Sequence, residues 1–304
     1  MGVTLHAPVV SRRQQEKILF HFTYLQAAVT GLVQGITELF PISSLGHSVL
    51  VPAWLGGSWR AFSNTPQYLL VAVALHLASA VALFIVFAPR WIAILKSVIG
   101  WKRNASGFRI FWLLVLGTIP VAIVGFVFSN FFQRNFQRPL SASIFLAING
   151  LLLFGTERLT SKRHPHAVPR DQNLAITERV SAGHAVIIGV GQSAALFAGI
   201  SRFGVTMSFG MLRGLSRSVA ADFAFLLSFP VILGASIVKL PKLGHGALAG
   251  SYGALTFGAG VAFLATIFSV KVLTRWFKSN SLRPFAAYCL IVGIISIIKF
   301  GFFN

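Results

Sequence analysis

The fourteen residues from Gln34 to His47 hold the side chains best suited to chemistry in this chain: Gln34, Glu38, Ser43, Ser44 and His47. They interrupt an apolar stretch, GLVQGITELFPISSLGHSVL, from Gly31 to Leu50. A carboxylate inside an apolar segment is costly and by default marks a functional site. Gln34 lies four residues before Glu38, so a helix presents both on one face. Histidine suits proton transfer near neutral pH or attack on phosphorus. The plainer readings are a hydrogen bond from Glu38 to a facing helix and a satisfied core position for His47. Ser43 and Ser44 beside them favour a nucleophile–base set. His76 has no such neighbours and is read as structural or, at most, as a support behind the site.

A second stretch, GVGQSAALFAGISRFGVTMSFGM from Gly189 to Met211, repeats the punctuation of the first. At an offset of 158 residues Gly31 matches Gly189, Gln34 matches Gln192, Ile42 matches Ile200, Ser43 matches Ser201 and Gly46 matches Gly204. The second copy contributes Arg202 and Thr206. A deep arginine needs a partner, and its planar fork suits a phosphate. Gly199 and Gly204 let backbone N–H groups close on an anion at a helix N-terminus. The structural alternative for Arg202 is an ion pair with Glu38. The two stretches are read as the two halves of one site.

What positions these residues follows from composition. Of 304 residues, 55% are hydrophobic and only 11% charged, against about 25% charged in a soluble domain. Mean hydropathy is +0.77, which indicates a multi-span membrane protein. The net charge of +20 comes mainly from bases between the apolar runs, where they anchor to anionic headgroups and set orientation. This excludes a nucleic-acid role. The single cysteine, Cys289, excludes an internal disulfide and a cysteine-based zinc site. Residues 1–22 form a polar extension, with an interfacial helix expected from about residue 14.

Six spans are expected: Tyr68–Ala88, Ile110–Ser129, Pro139–Thr156, Val219–Val238, Leu248–Val270 and Pro284–Phe303. Ala27–Phe40 and His47–Leu55 are too short to cross a core of about 30 Å at about 1.5 Å per residue. Pro41 and the Ser43–Gly46 cluster separate them, which predicts a re-entrant hairpin whose bend faces a cavity. Phe197–Gly204 predicts a second. Each half is one hairpin plus three spans, at residues 23–156 and 180–304, joined by a cytoplasmic linker at 157–179. Three crossings are odd, so the halves are expected to be inverted, an architecture that places sites at the midplane. The fold class is thus an all-α polytopic membrane protein built as an inverted repeat.

Loop charges set the expected orientation. Arg90–Arg109 and Arg158–Arg179 hold five Lys/Arg each and Lys271–Arg283 holds four, against two in each intervening loop. The richer set belongs in the cytoplasm. Arg213 and Arg217 are read as snorkelling at the interface, and Asp222 as a cap near the start of its span. There is no P-loop and no HExxH. One carboxylate and one imidazole are thin for a tight metal site, but Mg²⁺ often binds with few protein carboxylates.

QGITELFPISSLGH and AGISRFGVTMSFGMLRGLSR resemble the two signatures of the undecaprenyl-pyrophosphate phosphatase, or bacitracin-resistance, family. The resemblance runs from about residue 24 to the end. It implies an enzyme of the bacterial cytoplasmic (inner) membrane that removes the terminal phosphate of a C55 isoprenyl pyrophosphate on the outer, periplasmic side. That reaction recycles the lipid carrier of cell-wall synthesis, with Mg²⁺ or Ca²⁺. By the resemblance, Glu38, Ser44, His47 and Arg202 are catalytic, and Gln34, Ser43, Gly46, Ser201, Gly204 and Thr206 contact substrate. Glu38 is also the candidate metal ligand, together with substrate phosphates. A homodimer is compatible with the family. Leu45, Ala198, Phe203 and Asp222 depart from its usual Thr, Pro, Ser and Glu.

The nucleophile is Ser44 activated by His47, His47 itself, or a water. The competing class is a transporter or flippase of polyprenyl phosphate using the same midplane pocket. Transport needs charge pairing but no nucleophile beside a base.

Overall fold

The structure, a computed structural model, describes residues 22–136, 138–161, 172–239 and 251–303. The expected N-terminal extension and interfacial helix lie almost wholly outside these residues, as does the middle of the linker. Among the described residues every regular element is a helix, and six helices are long and apolar enough to cross a membrane.

The first half opens with α1 (Tyr24–Thr37) and α2 (Ser44–Leu55), followed by the short α3 (Gly57–Ser63). It continues with α4 (Pro66–Val86), α5 (Ala88–Ile99), α6 (Ser106–Phe136) and α7 (Pro139–Thr160). The second half contains α8 (Gln172–Arg179), α9 (Ala182–Gln192), α10 (Arg202–Leu212), α11 (Arg217–Lys239), α12 (Tyr252–Trp276) and α13 (Arg283–Phe302). The spans α4, α6, α7, α11, α12 and α13 are the six expected, with ends shifted by a few residues. The helix α5 was not expected: the segment reads as a charged loop, yet Trp91, Ile94 and Ser97 bury one face of it. Glu157 is also not linker, because α7 runs through it to Thr160.

Both short arms begin with sequence-encoded caps. Thr23 and Gln26 form a reciprocal capping box at α1, which satisfies two otherwise orphaned N–H groups. Ser181 accepts the His184 N–H at the start of α9. Each arm then packs closely on a span of the other half. A Cβ at Gly31 in α1 would come within 2.4 Å of the Gly258 carbonyl oxygen in α12. One at Gly189 in α9 would come within 2.4 Å of the Gly117 carbonyl oxygen in α6. Gly31 and Gly189 are the first pair matched in sequence at the 158-residue offset, and each meets a glycine carbonyl of a long span. Small residues at such crossings are how helices associate in lipid, where no hydrophobic force drives them together.

The third spans, α7 and α13, pair by the same device. A Cβ at Gly150 would lie 2.9 Å from Ala286 O, and one at Gly293 would lie 2.7 Å from Ala147 N. Outward, large side chains such as Phe126, Leu264, Phe268 and Ile291 are exposed, as a lipid-facing surface requires. The aromatic core at the base of the second hairpin is Phe203, Phe225 and Phe277, with Phe203 centroids 4.7 and 5.8 Å from the other two.

Candidate active site

Both bends are non-helical backbone held by side chains of their neighbours. After α1 the chain turns through Glu38–Ser43 and restarts as α2. After α9 it passes a 3₁₀ turn, Ser193–Leu196, and restarts as α10 at Arg202. Ser43 caps α2 and Ser201 caps α10, each accepting the N–H three residues on, from Gly46 and Gly204 respectively, at 3.1 Å. These two repeat-equivalent serines also tie the bends together. Ser43 Oγ accepts the Gly199 N–H at 3.2 Å, and Ser201 Oγ donates to Phe40 O at 3.3 Å.

Asn149 of α7 completes the junction. Its amide nitrogen donates to Pro41 O at 2.9 Å, and its oxygen accepts the Ser201 N–H at 3.0 Å. Asn149 was not singled out from sequence, although a polar amide inside a span is a signal of its own. Gly46 and Gly199 make the contact sterically feasible: a Cβ on Gly46 would stand 2.9 Å from Gly199 Cα. Gly199 sits at φ 112°, and Ser43 holds the left-handed region at φ 72°. That conformation costs of order 1 kcal/mol or more in a serine and persists only where the surroundings enforce it.

Glu38, 5% exposed, lies at the centre. Its Oε2 accepts Ser44 Oγ–H at 2.6 Å and Gln34 Nε2–H at 2.9 Å. Its Oε1 pairs with the Arg202 guanidinium from the other hairpin. The ion pair with Glu38, the structural alternative for Arg202, is therefore present. His76 of α4 is the support behind it: Nδ1 is 2.7 Å from Ala72 O and Nε2 is 3.4 Å from Glu38 Oε2. The carboxylate thus collects partners from α1, α2, α4 and α10.

His47 is buried on α2 and bonds to no member of this cluster. Its Nδ1 meets Ser43 O at 2.8 Å and its Nε2 meets Tyr288 Oη of α13 at 2.8 Å. Its two nitrogens are bonded there, while the partner of Ser44 is Glu38. The geometry therefore gives Ser44 a carboxylate as its proximate base in place of the imidazole considered from sequence. Tyr288 was also missed, since it sits in an apolar run with no polar neighbours. Thr206 and Gln192 are buried. Among the described residues Thr206 Oγ1 and Gln192 Oε1 have no hydrogen-bond partner, and neither residue bonds to Glu38 or Arg202.

Two of the departures from the family signature lie in the core. Phe203 is buried in the aromatic core against Phe225 and Phe277, and Ala198 is fully buried. Arg217 does not snorkel: it forms an ion pair with buried Glu157, whose other oxygen accepts the Leu282 N–H at 3.1 Å. Asp222 lies one turn inside α11, not at its cap, with Arg90 Nη1 3.7 Å away.

A narrow cleft beside the cluster is lined by Gln34, Ser44 and His47, with Trp59, Tyr68 and Leu75 also on its walls. Ser44 brings the amino end of α2 to this cleft, and helix amino ends favour anions. Among the described residues no group of three or more His, Cys, Asp or Glu converges. Glu38 can give a divalent cation one carboxylate, which suits Mg²⁺ when phosphates and water supply the rest.

Residues 27–295 match the model of the bacitracin resistance protein BacA family. The chain is 38% identical to undecaprenyl-diphosphatase 2 of Frankia alni, over 93% of this chain and 99% of that one. It is 38% identical to the undecaprenyl-diphosphatase of Mycolicibacterium paratuberculosis, over 91% and 97% of the two chains. Against that of Granulibacter bethesdensis it is 39% identical, over 89% and 94%.

Proposed function

The chain belongs to the bacitracin resistance protein BacA family, and on that premise we propose that it is an integral membrane phosphatase converting undecaprenyl pyrophosphate to undecaprenyl phosphate and phosphate. The observation that carries the mechanism is the 2.6 Å bond from Ser44 to Glu38, with Arg202 on the other carboxylate oxygen.

The polar head enters the cleft with the prenyl tail toward the apolar walls. The phosphate competes with Glu38 for Arg202, whose fork then binds phosphate oxygens and offsets their charge in the transition state. Glu38 takes the Ser44 proton as Ser44 Oγ bonds to the terminal phosphorus and the bridging P–O bond breaks. The leaving group is the prenyl monophosphate, and a water then hydrolyses the phosphoserine. Gln34 holds Glu38 in position, while Ser43, Gly46, Ser201 and Gly204 build the bends that present both helix amino ends. A divalent cation, Mg²⁺ or Ca²⁺, held by Glu38 and the phosphates would supply further charge neutralisation.

The site is expected to open on the outer face of the inner membrane, since the base-rich loops belong inside. A homodimer is part of the same expectation, read directly by sedimentation in detergent. Phosphate release from undecaprenyl pyrophosphate by purified protein in detergent, where there is no membrane to cross, tests the proposal. Release supports hydrolysis. Binding without release, together with lipid translocation in vesicles, replaces it with a transporter.

A further inference from the structure

We propose that Tyr288 is a positioning residue for His47, fixing its tautomer and so the place of its ring on the wall of the cleft. The inference deepens the phosphatase reading and rests on it. Its starting point is that both ring nitrogens of His47 are committed. Nδ1 lies 2.8 Å from the Ser43 carbonyl oxygen. A carbonyl only accepts, so Nδ1 carries a proton. The neutral ring then has its lone pair on Nε2, and Tyr288 donates its O–H to that lone pair across 2.8 Å.

The ring geometry supports the same pairing. The two rings lie 15° from parallel with centroids 5.7 Å apart. A phenol hydroxyl donates or accepts with equal ease. Here Nδ1–H is spent on the Ser43 carbonyl, so the phenol takes the donor's part toward Nε2, and the two bonds hold the neutral ring in one tautomer and one orientation, as a preorganised site requires.

Tyr288 does not depend on this bond for its place. The neighbouring Cys289 accepts the Asn149 amide at 3.3 Å. Farther along α13, Ser296 accepts the indole N–H of Trp54 at 2.9 Å. These contacts clamp α13 to α7 and α2 from Cys289 onward, immediately after Tyr288. Removing the hydroxyl alone leaves the ring stack and both clamps intact, so a change on doing so reports on the hydroxyl.

The experiment uses the full chain in detergent with the histidine side chains labelled with ¹⁵N, the His47→Asn variant serving to assign the His47 signals. Tyr288→Phe is compared with the unsubstituted protein by phosphate release and by the ¹⁵N signals. The expected result is a fall in kcat of about tenfold, the size of one lost hydrogen bond, with KM unchanged within about twofold. The Nε2 signal is expected to move toward that of a free lone pair. Either an unchanged kcat or unshifted His47 nitrogens overturns the proposal. If Tyr288→Phe fails to fold, a fluorotyrosine at position 288 keeps the hydroxyl but alters its donor strength, and His47 nitrogens that do not respond overturn the proposal. If the unsubstituted protein releases no phosphate, the phosphatase reading fails. The ¹⁵N signals then decide by themselves whether Tyr288 holds His47.

Discussion

The hydroxyl of Ser43 accepts the backbone N–H of Gly199, 156 residues further along the chain, at 3.2 Å. The same oxygen caps α2 through the Gly46 N–H. One side chain therefore ends one hairpin bend and fixes the other against it. Ser43→Ala leaves two buried N–H groups without their acceptor. At about 1 kcal/mol or more for each orphaned group, it is expected to lower the thermal unfolding temperature in detergent by several degrees and to reduce phosphate release. An unfolding temperature equal to the parent's would show that the bends meet without this bond.

Gly46→Ala tests the closeness of the bends by sterics alone. The new Cβ would stand 2.9 Å from Gly199 Cα and 3.0 Å from Gly199 N, backbone atoms that cannot rotate away. Activity is expected to fall by about tenfold or more, as small misplacements of a site do. Gly155→Ala, in α7, adds a Cβ with no heavy atom within 4 Å. That helical substitution is expected to be neutral or to stabilise by about 0.5 kcal/mol. Equal behaviour of the two variants in unfolding and activity assays would contradict the packing described.

Much of this arrangement is legible in the sequence, and the unread part shares one cause. The six spans announce themselves because twenty apolar residues have little alternative fate. The hairpins are visible because Pro41 and the Ser/Gly clusters break runs too short to cross. Glu38, Ser44 and Arg202 stand out because polar groups in apolar segments are rare. Asn149, Tyr288 and Glu157 matter through partners 52 to 241 residues away, and no local pattern encodes such pairs. Arg217 was misread for the same reason, since its partner Glu157 lies 60 residues upstream. The helix α5 was missed because its charges dominate a short window, although Trp91, Ile94 and Ser97 recur every three residues.

The Glu157–Arg217 pair joins α7 to α11, and the Leu282 N–H joins both to the start of α13. Glu157→Ala strands the arginine and the backbone donor. Removing one member of a buried pair costs about 3–5 kcal/mol, and the partial exposure of Arg217, at 32% of its side chain, reduces this to roughly 2 kcal/mol. Unfolding is expected at a lower temperature, while activity per folded molecule stays near the parent value. A loss of activity without loss of stability would place the pair in the chemistry instead.

Orientation is checked by labelling. Lys102 is exposed in the base-rich segment between α5 and α6. Lys102→Cys, in a Cys289→Ser background, is expected to react with a membrane-impermeant thiol reagent only after the cells are opened. Labelling of intact cells would reverse the orientation and turn the site toward the cytoplasm.

The central claim is that Ser44 and Glu38 act as one nucleophile–base unit on a polyprenyl pyrophosphate. The most direct measurement is phosphate release in detergent by Ser44→Ala, Glu38→Gln and the double variant, each checked for parental unfolding. Groups that act as a unit are grossly non-additive when removed. Each single variant is expected to lose about a hundredfold or more in kcat, with the double hardly worse than the worse single. Release by Ser44→Ala at the parental rate, or losses that multiply in the double variant, would contradict the account.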